Sequence, residues 1–241
     1  MERAGRRENV WEPESQLEPE SQPKPGTGAE ARLLSIQVGG PRDYPDDGAG
    51  RPWRSAIVKR RVEGPVWLGR VNLAGDAQAD LKNHGGPDKA VLAYAHASYA
   101  YWAKAHGLTG LEPGAFGENF TVVGQSEADV CIGDIYDIGG ARVQVSQPRI
   151  PCWKLALHLN VPDMVRRVSA TGLGGWYLRV LQEGWVEPGQ AIRLVDRPCP
   201  HWNIAAANDV VHGRAGRAEL AQLVDCRWLS VSLRQQLAMR L

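Results

Sequence analysis

Short apolar runs, each closed by turn residues, recur along the middle of the chain. Leu33-Leu34-Ser35-Ile36-Gln37-Val38 predicts a strand ended by Gly39-Gly40-Pro41. Residues 56–62 and 66–71 predict a second strand pair, turned by Gly64-Pro65. Residues 91–94, 120–123, 135–138, 143–145 and 191–195 predict five more strands. Most are bounded by Gly, Pro, Asp or Asn, a pattern that favours a barrel or sandwich. Helical spacing appears between them: residues 96–106 place Tyr99, Trp102 and Ala103 on one face. Pro162-Asp163 opens another helix, with proline tolerated in the first turn and aspartate favourable to the helix dipole.

Beyond Asp196 the pattern changes. Pro198 and Pro200 mark a linker, and residues 203–211, 218–224 and 228–237 predict three short helices. So short a tail makes a thin core, so it is expected to dock on the barrel. At the other end, residues 1–30 show no sustained apolar pattern, and Glu12-Pro13-Glu14-Ser15-Gln16 nearly repeats as Glu18-Pro19-Glu20-Ser21-Gln22. Such a segment buries too little to offset chain ordering and predicts a disordered leader without catalytic content. It has no apolar run for a secretory signal and too many glutamates for a transit peptide. The expected organisation is therefore a leader over 1–30, a mainly β, α+β barrel domain over 31–196 and a three-helix domain over 197–241.

Composition narrows the function. Among 241 residues, Lys+Arg 28 against Asp+Glu 27 gives a formal net charge of +1. That supplies no global field for a polyanion, so no nucleic-acid polymer is expected as partner. Four cysteines lack any C-x-x-C spacing, which excludes a zinc ribbon, a ferredoxin-type cluster and a dense disulfide scaffold. The longest uncharged apolar stretch, 90–103, contains His96 and Ser98 and falls short of the ~20 residues that span a bilayer. A cytoplasmic protein without membrane association is expected.

Candidate chemistry gathers in three loops. In Asn83-His84-Gly85-Gly86-Pro87-Asp88-Lys89, paired glycines let backbone N–H groups approach an anion and Lys89 adds charge. A structural corner explains the same residues, and His84 lacks a second histidine at metal spacing. In Gly114-Ala115-Phe116-Gly117-Glu118-Asn119, the glycines suit backbone contact, while Glu118 and Asn119 offer an acceptor and an amide. A β-turn with a solvated carboxylate reads equally well there. In Gln147-Pro148-Arg149-Ile150-Pro151-Cys152-Trp153-Lys154, a rigid loop presents one cysteine between cations, which favour the thiolate; a buried inert thiol reads equally well for Cys152 taken alone. Cys131, Cys199 and Cys226 have no such setting and read as small core or linker residues. No His–Asp/Asn signature accompanies Cys152 for a cysteine hydrolase.

These loops, in this order, resemble a MOSC domain (molybdenum cofactor sulfurase C-terminal type) of the YiiM branch. The resemblance starts at Leu33-Leu34-Ser35-Ile36 and runs through Gly75-Asp76-x-Gln78-Ala79-Asp80 and His84-Gly85-Gly86-Pro87-Asp88-Lys89. It continues through Phe116-Gly117-Glu118-Asn119, Ile132-Gly133-Asp134 and Val145-Ser146-Gln147-Pro148-Arg149-x-Pro151-Cys152. It covers about residues 31–241, and the last motif is the most specific. The acidic leader and Trp153, where tyrosine or another aromatic is expected, are the departures.

The resemblance implies a β-barrel that binds molybdenum cofactor in its molybdopterin form, with Cys152 as the catalytic protein ligand to the metal. It places His84, Gly85, Gly86, Asp88 and Lys89, then Gly117, Glu118 and Asn119, then Gln147, Arg149 and Lys154 around the cofactor. Lys89 or Arg149 would neutralise the phosphate; Glu118, Asn119 and Gln147 would address the pterin edges. The implied activity is reduction of N-hydroxylated small molecules, 6-hydroxylaminopurine-like bases, in detoxification. Trp153 or Trp176 could stack on a purine, and core packing explains either as well. Electrons would come from an external reductase partner, and a homodimer is compatible with the sequence. Two alternatives stay open: a sulfur carrier using a Cys152 persulfide, and a non-catalytic cofactor-binding protein.

Overall fold

The computed structural model describes residues 30–46 and 48–241, so the expected leader, Glu30 aside, lies outside the described residues. Among the described residues, twelve strands and seven α-helices follow in chain order. The strands are β1 (Arg32–Val38), β2 (Arg42–Tyr44), β3 (Trp53–Ser55), β4 (Arg60–Val62), β5 (Val66–Leu68), β6 (Val91–Ala95), β7 (Phe120–Val123), β8 (Ile135–Ile138), β9 (Ala141–Pro148), β10 (Trp176–Gln182), β11 (Gly184–Val186) and β12 (Ile192–Asp196). The helices are α1 (Leu81–His84), α2 (Ala97–His106), α3 (Trp153–Leu159), α4 (Met164–Thr171), α5 (Ile204–Val211), α6 (Arg217–Asp225) and α7 (Val231–Ala238), with a 3-10 turn at Pro87–Lys89.

Eight strands form one sheet in the order β12-β8-β9-β10-β6-β7-β1-β4. Only β6 and β7 run parallel; the other neighbours in that sheet are antiparallel. The sheet curls until the start of β12 reaches the start of β1: Leu33 N–H donates to the Gln190 carbonyl at 2.9 Å, and Ile192 N–H to the Ala31 carbonyl at 2.8 Å. Closure of this kind removes an exposed edge, and it makes the fold an α+β barrel, mainly β.

Burial explains the strand set. β6 is buried throughout and β9 nearly so, as expected for walls covered on both sides. One apolar core runs from Leu33, Phe120, Val143 and Trp176 in the barrel to Leu220, Leu229, Leu233 and Leu237 in the C-terminal helices. The tail thus shares the barrel's core, as its thin apolar content required. A second core, with Tyr94, Trp102, Phe116, Leu155 and Met164, lies under α2, α3 and α4.

Three expectations need correction. Residues 56–62 and 66–71 do not pair with each other: β4 lies on β1 and β5 on β11. The intervening Gly64 has φ 75°, and Pro65 has no N–H with which to close a tight hairpin. The third loop is shorter than expected, because β9 runs to Pro148 and α3 begins at Trp153. Finally, β10, a central strand between β9 and β6, escaped the sequence reading altogether.

Candidate functional site

Cys152 stands immediately before α3, in extended backbone (φ −115°, ψ 164°), where the chain leaves β9 through Pro148 and Pro151. His84, the last residue of α1, hydrogen-bonds its sulfur, and the Lys154 N–H does so as well. Burial pushes the Cys152 thiol up. The His84 hydrogen bond and charge, the Arg149 guanidinium and the Lys154 N–H together outweigh that and bring it down to about 7. A substantial thiolate fraction therefore exists at neutral pH, and the thiolate is the nucleophile and metal ligand.

Two adjoining cavities meet at this sulfur. Both are lined by Asp80, His84, Lys89, Cys152, Lys154 and Tyr177. The smaller, about 90 Å³, reaches Lys59, Asp76, Phe116 and Arg149. The larger, about 550 Å³, is lined also by Trp153 and by Ser232, Leu233 and Gln236 of α7. Cations predominate. Lys59 is ion-paired with Asp76, their side chains 6% and 0% exposed. Arg149 donates through Nη2 to the Phe116 carbonyl at 3.4 Å, while its buried Nη1 has no hydrogen-bond partner among the described residues. Lys89 Nζ donates to the Asn83 carbonyl at 2.8 Å; burial pulls this ammonium down, against the nearby Asp88 and Asp80 carboxylates.

Of the residues expected at the site, Cys152, His84, Lys89, Gly117, Asn119, Gln147, Arg149 and Lys154 line these cavities. Gly85, Gly86, Asp88 and Glu118 do not. Glu118 is 0% exposed, and its carboxylate accepts from the Gly114 and Phe116 N–H groups, the Tyr99 hydroxyl and the Thr121 hydroxyl. It holds its own loop in shape and has no free face for a pterin. Asn119 spends its amide on Leu92 N–H and the Gln37 carbonyl, pinning β1 to β6. Gln147 accepts from the Ser230 hydroxyl at 2.6 Å, and its amide nitrogen turns back to the Pro148 carbonyl. Asp88 lies 2.9 Å from the Arg179 guanidinium and accepts the Val231 N–H at 3.1 Å. Asp88 and Gln147 thus fasten the start of α7, whose exposed face lines the larger cavity. Trp176 is fully packed in the core and cannot stack on a ligand.

Sequence reading missed Lys59, Tyr177 and the α7 residues. Asp76 stood inside the recognised Gly75-to-Asp80 stretch, which was the one available signal for a buried acid and hence for a paired cation. It also missed the His84–Cys152 contact, since the two lie in separate loops brought together only by the closed barrel.

Comparison with known proteins places this architecture. Residues 80–193 match the MOSC domain family model. The uncharacterized protein YflK of Bacillus subtilis is 47% identical over 165 residues, 68% of this chain and 73% of that protein. Protein YiiM of Escherichia coli is 39% identical over 167 residues, 68% of this chain and 72% of its own length. The crystal structure of YiiM from Geobacillus stearothermophilus superposes with a TM-score of 0.72 at 37% identity, covering 87% of this chain and 98% of that one. The chain belongs to the YiiM-type MOSC proteins. A Gibberella moniliformis protein named reductase is 34% identical over 224 residues, 90% of this chain but 37% of that protein.

MOSC domains are, as a class, molybdenum cofactor-binding domains, and the donor set here fits that group. A soft, ionised sulfur suits a thiolate-rich molybdenum centre. The partnerless Nη1 of Arg149 is a buried donor awaiting an acceptor, and a phosphate or a pterin carbonyl would supply one. Among the described residues no helix is long and apolar enough to cross a membrane.

Proposed function

We propose that this MOSC protein binds molybdenum cofactor in its molybdopterin form and reduces N-hydroxylated compounds, with hydroxylaminopurine-like bases as the substrate class. The observation that carries the reading is the Cys152 thiolate, hydrogen-bonded by His84, at the junction of a cationic pocket and a larger open cavity. The similarity to a protein named reductase adds support. The overall reaction is R–NHOH + 2e⁻ + 2H⁺ → R–NH2 + H2O, with the electrons drawn from an external reductase. When bound, the cofactor supplies a two-electron metal couple that ordinary side chains lack.

The chain's residues divide the remaining work. Cys152 offers the sulfur ligand, and the His84 hydrogen bond keeps it deprotonated. Arg149 and Lys89, which line the smaller cavity, would neutralise the cofactor's phosphate. Burial pushes the Tyr177 phenol up, against the Arg149 guanidinium, so its hydroxyl stays protonated at neutral pH. The large cavity receives the substrate.

Protein made in a cofactor-competent host tests this through molybdenum and pterin analysis of wild type and Cys152→Ser. The expected result is a loss of at least tenfold in bound molybdenum or in reduction rate. Unchanged metal content and rate in the variant would overturn the ligand assignment. A persulfide on Cys152 without molybdopterin would instead establish sulfur carriage, and tight cofactor binding without turnover would leave a binding protein.

A further inference from the structure

Glu127 lies in the loop between β7 and β8, lines neither cavity and is only 2% exposed. One carboxylate oxygen, Oε1, accepts the Gly175 N–H at 2.9 Å. The other, Oε2, is buried with no hydrogen-bond partner among the described residues. The backbone carbonyl of Glu127 accepts the Ala205 N–H at 2.9 Å, in the first turn of α5. The titratable groups acting with it are Asp129 of its own loop and Tyr94 of β6, neither of them a cation; Gly175 and Ala205 carry no charge. Burial, above all, pushes the Glu127 carboxyl up to about 7, against the N–H groups of Gly175 and of Glu127 itself. That value lies above the ordinary 4.5, so ionisation costs stability as pH rises from about 4.5 to about 7, and the cost remains above that. A glutamine would accept the same N–H without that cost, so packing alone does not account for an acid here.

What Glu127 holds is the turn on which Arg149 rests. The Gly175 carbonyl accepts the Arg149 N–H at 3.0 Å. Arg149 also packs on the preceding glycine: a Cβ on Gly174 would come within 3.0 Å of the Arg149 carbonyl and 3.8 Å of its Cδ. On its other side the turn touches β6, since a Cβ on Gly175, at φ 80°, would lie 2.3 Å from the Ala93 carbonyl. The two glycines thus fit between a strand and Arg149, and Glu127 anchors the peptide that joins them. Arg149 depends on that placement. Its side chain makes one long hydrogen bond, to the Phe116 carbonyl at 3.4 Å, so its backbone largely sets where the partnerless Nη1 points.

We infer that Glu127 is a positioning residue for the anion grip of Arg149, acting through the Gly174–Gly175 turn and touching no ligand itself. An ionised acceptor holds an N–H about twice as strongly as a neutral one. The turn is therefore held hardest when Glu127 is charged, and the grip on an anion tightens as pH rises through about 7. A carboxylate acting only by its field would do the opposite and repel the anion. The inference rests on the cofactor reading only for what the natural anion is.

The test uses the full chain purified without cofactor and labelled with ¹⁵N-glycine, with sulfate as the anion because it stays a dianion throughout the pH range. By NMR, the Gly175 amide resonance should titrate with a midpoint near pH 7 in wild type and stay put in Glu127→Gln. Wild type is expected to bind sulfate about fivefold more tightly than Glu127→Gln at pH 8.5, and about equally at pH 6. Arg149→Ala should lose most of the affinity, which locates the sulfate. Glu127→Asp, one methylene too short to reach the Gly175 N–H, should weaken binding at pH 8.5 as Glu127→Gln does, and serves if the glutamine variant fails to fold. Equal affinity of wild type and Glu127→Gln at both pH values, tighter binding by Glu127→Gln at pH 8.5, or sulfate binding undiminished in Arg149→Ala overturns the positioning role. These readouts need neither cofactor nor turnover, so a wild type that holds no molybdopterin sinks the cofactor reading and leaves the role of Glu127 to stand or fall by sulfate.

Discussion

Two groups of cysteine in this molecule show how much one residue type depends on its surroundings. Cys152 sits at a cavity, hydrogen-bonded by His84 and near Arg149, and its thiol is brought down to about 7. Cys199 and Cys226 lie 3.7 Å apart, sulfur to sulfur, in the core between the linker and α6. They are 4% and 6% exposed. Burial pushes the Cys199 thiol well above its ordinary range, and the neighbouring Cys226 sulfur adds to the shift. At Cys152 burial acts in the same direction and loses, because opposite charge and a hydrogen bond to the ionised form are both at hand. Depth in the protein does not separate a reactive thiol from an inert one; the groups facing the sulfur do.

The largest effect that could break this contrast is chemical reactivity. In cofactor-free protein at pH 7, iodoacetamide should alkylate Cys152 at least about a hundredfold faster than Cys199 or Cys226, from thiolate fraction and access combined. Peptide mass mapping over time measures it, and comparable rates at the three positions would refute the contrast. His84→Ala sharpens it. The midpoint of the Cys152 alkylation profile, expected near pH 7 in wild type, should move up by about one pH unit or more. The sign for stability follows. A thiol whose folded value is lowered favours the fold as pH rises from about 7 towards 9, and that contribution is absent below about 7. Denaturant titrations at pH 6 and 9 should show the rise in wild type and a smaller one in His84→Ala.

Much of the fold was readable from spacing. Strands β6, β7 and β8 and the helices α2, α5, α6 and α7 fall within a few residues of their expected positions. Local periodicity suffices where an element's burial follows from its own sequence. The 66–71 run shows where it fails: its Val66 and Leu68 are buried as expected, but their partner strand, β11, lies more than a hundred residues away. The candidate site divides in the same way. Cys152 and Arg149 were recognisable because their loop carries its own signature. Glu118 and Asp88 looked like ligand contacts because a conspicuous motif records any demanding geometry, whether for a ligand or for the loop itself. Glu118 closes a turn, and Asp88 ties a helix down. The Cys152–His84 pair was illegible because neither loop's sequence specifies which other loop it will meet.

The smallest effect concerns the other side of the contrast. Cys199 belongs to the main core, with Trp202, Ile204 and Leu229 in the same cluster, so its sulfur acts as packing volume. Cys199→Ala removes that volume without leaving a charge or a hydrogen-bonding group unpaired at the site around Cys152. It should lower unfolding free energy by about 1 kcal/mol, typical of a modest core truncation. Denaturant midpoints measure the loss, and molybdenum content measured alongside should match wild type. A fall in bound molybdenum with an unshifted midpoint would show that the buried pair takes part in the chemistry. The division between a working sulfur and a packing sulfur would then no longer hold.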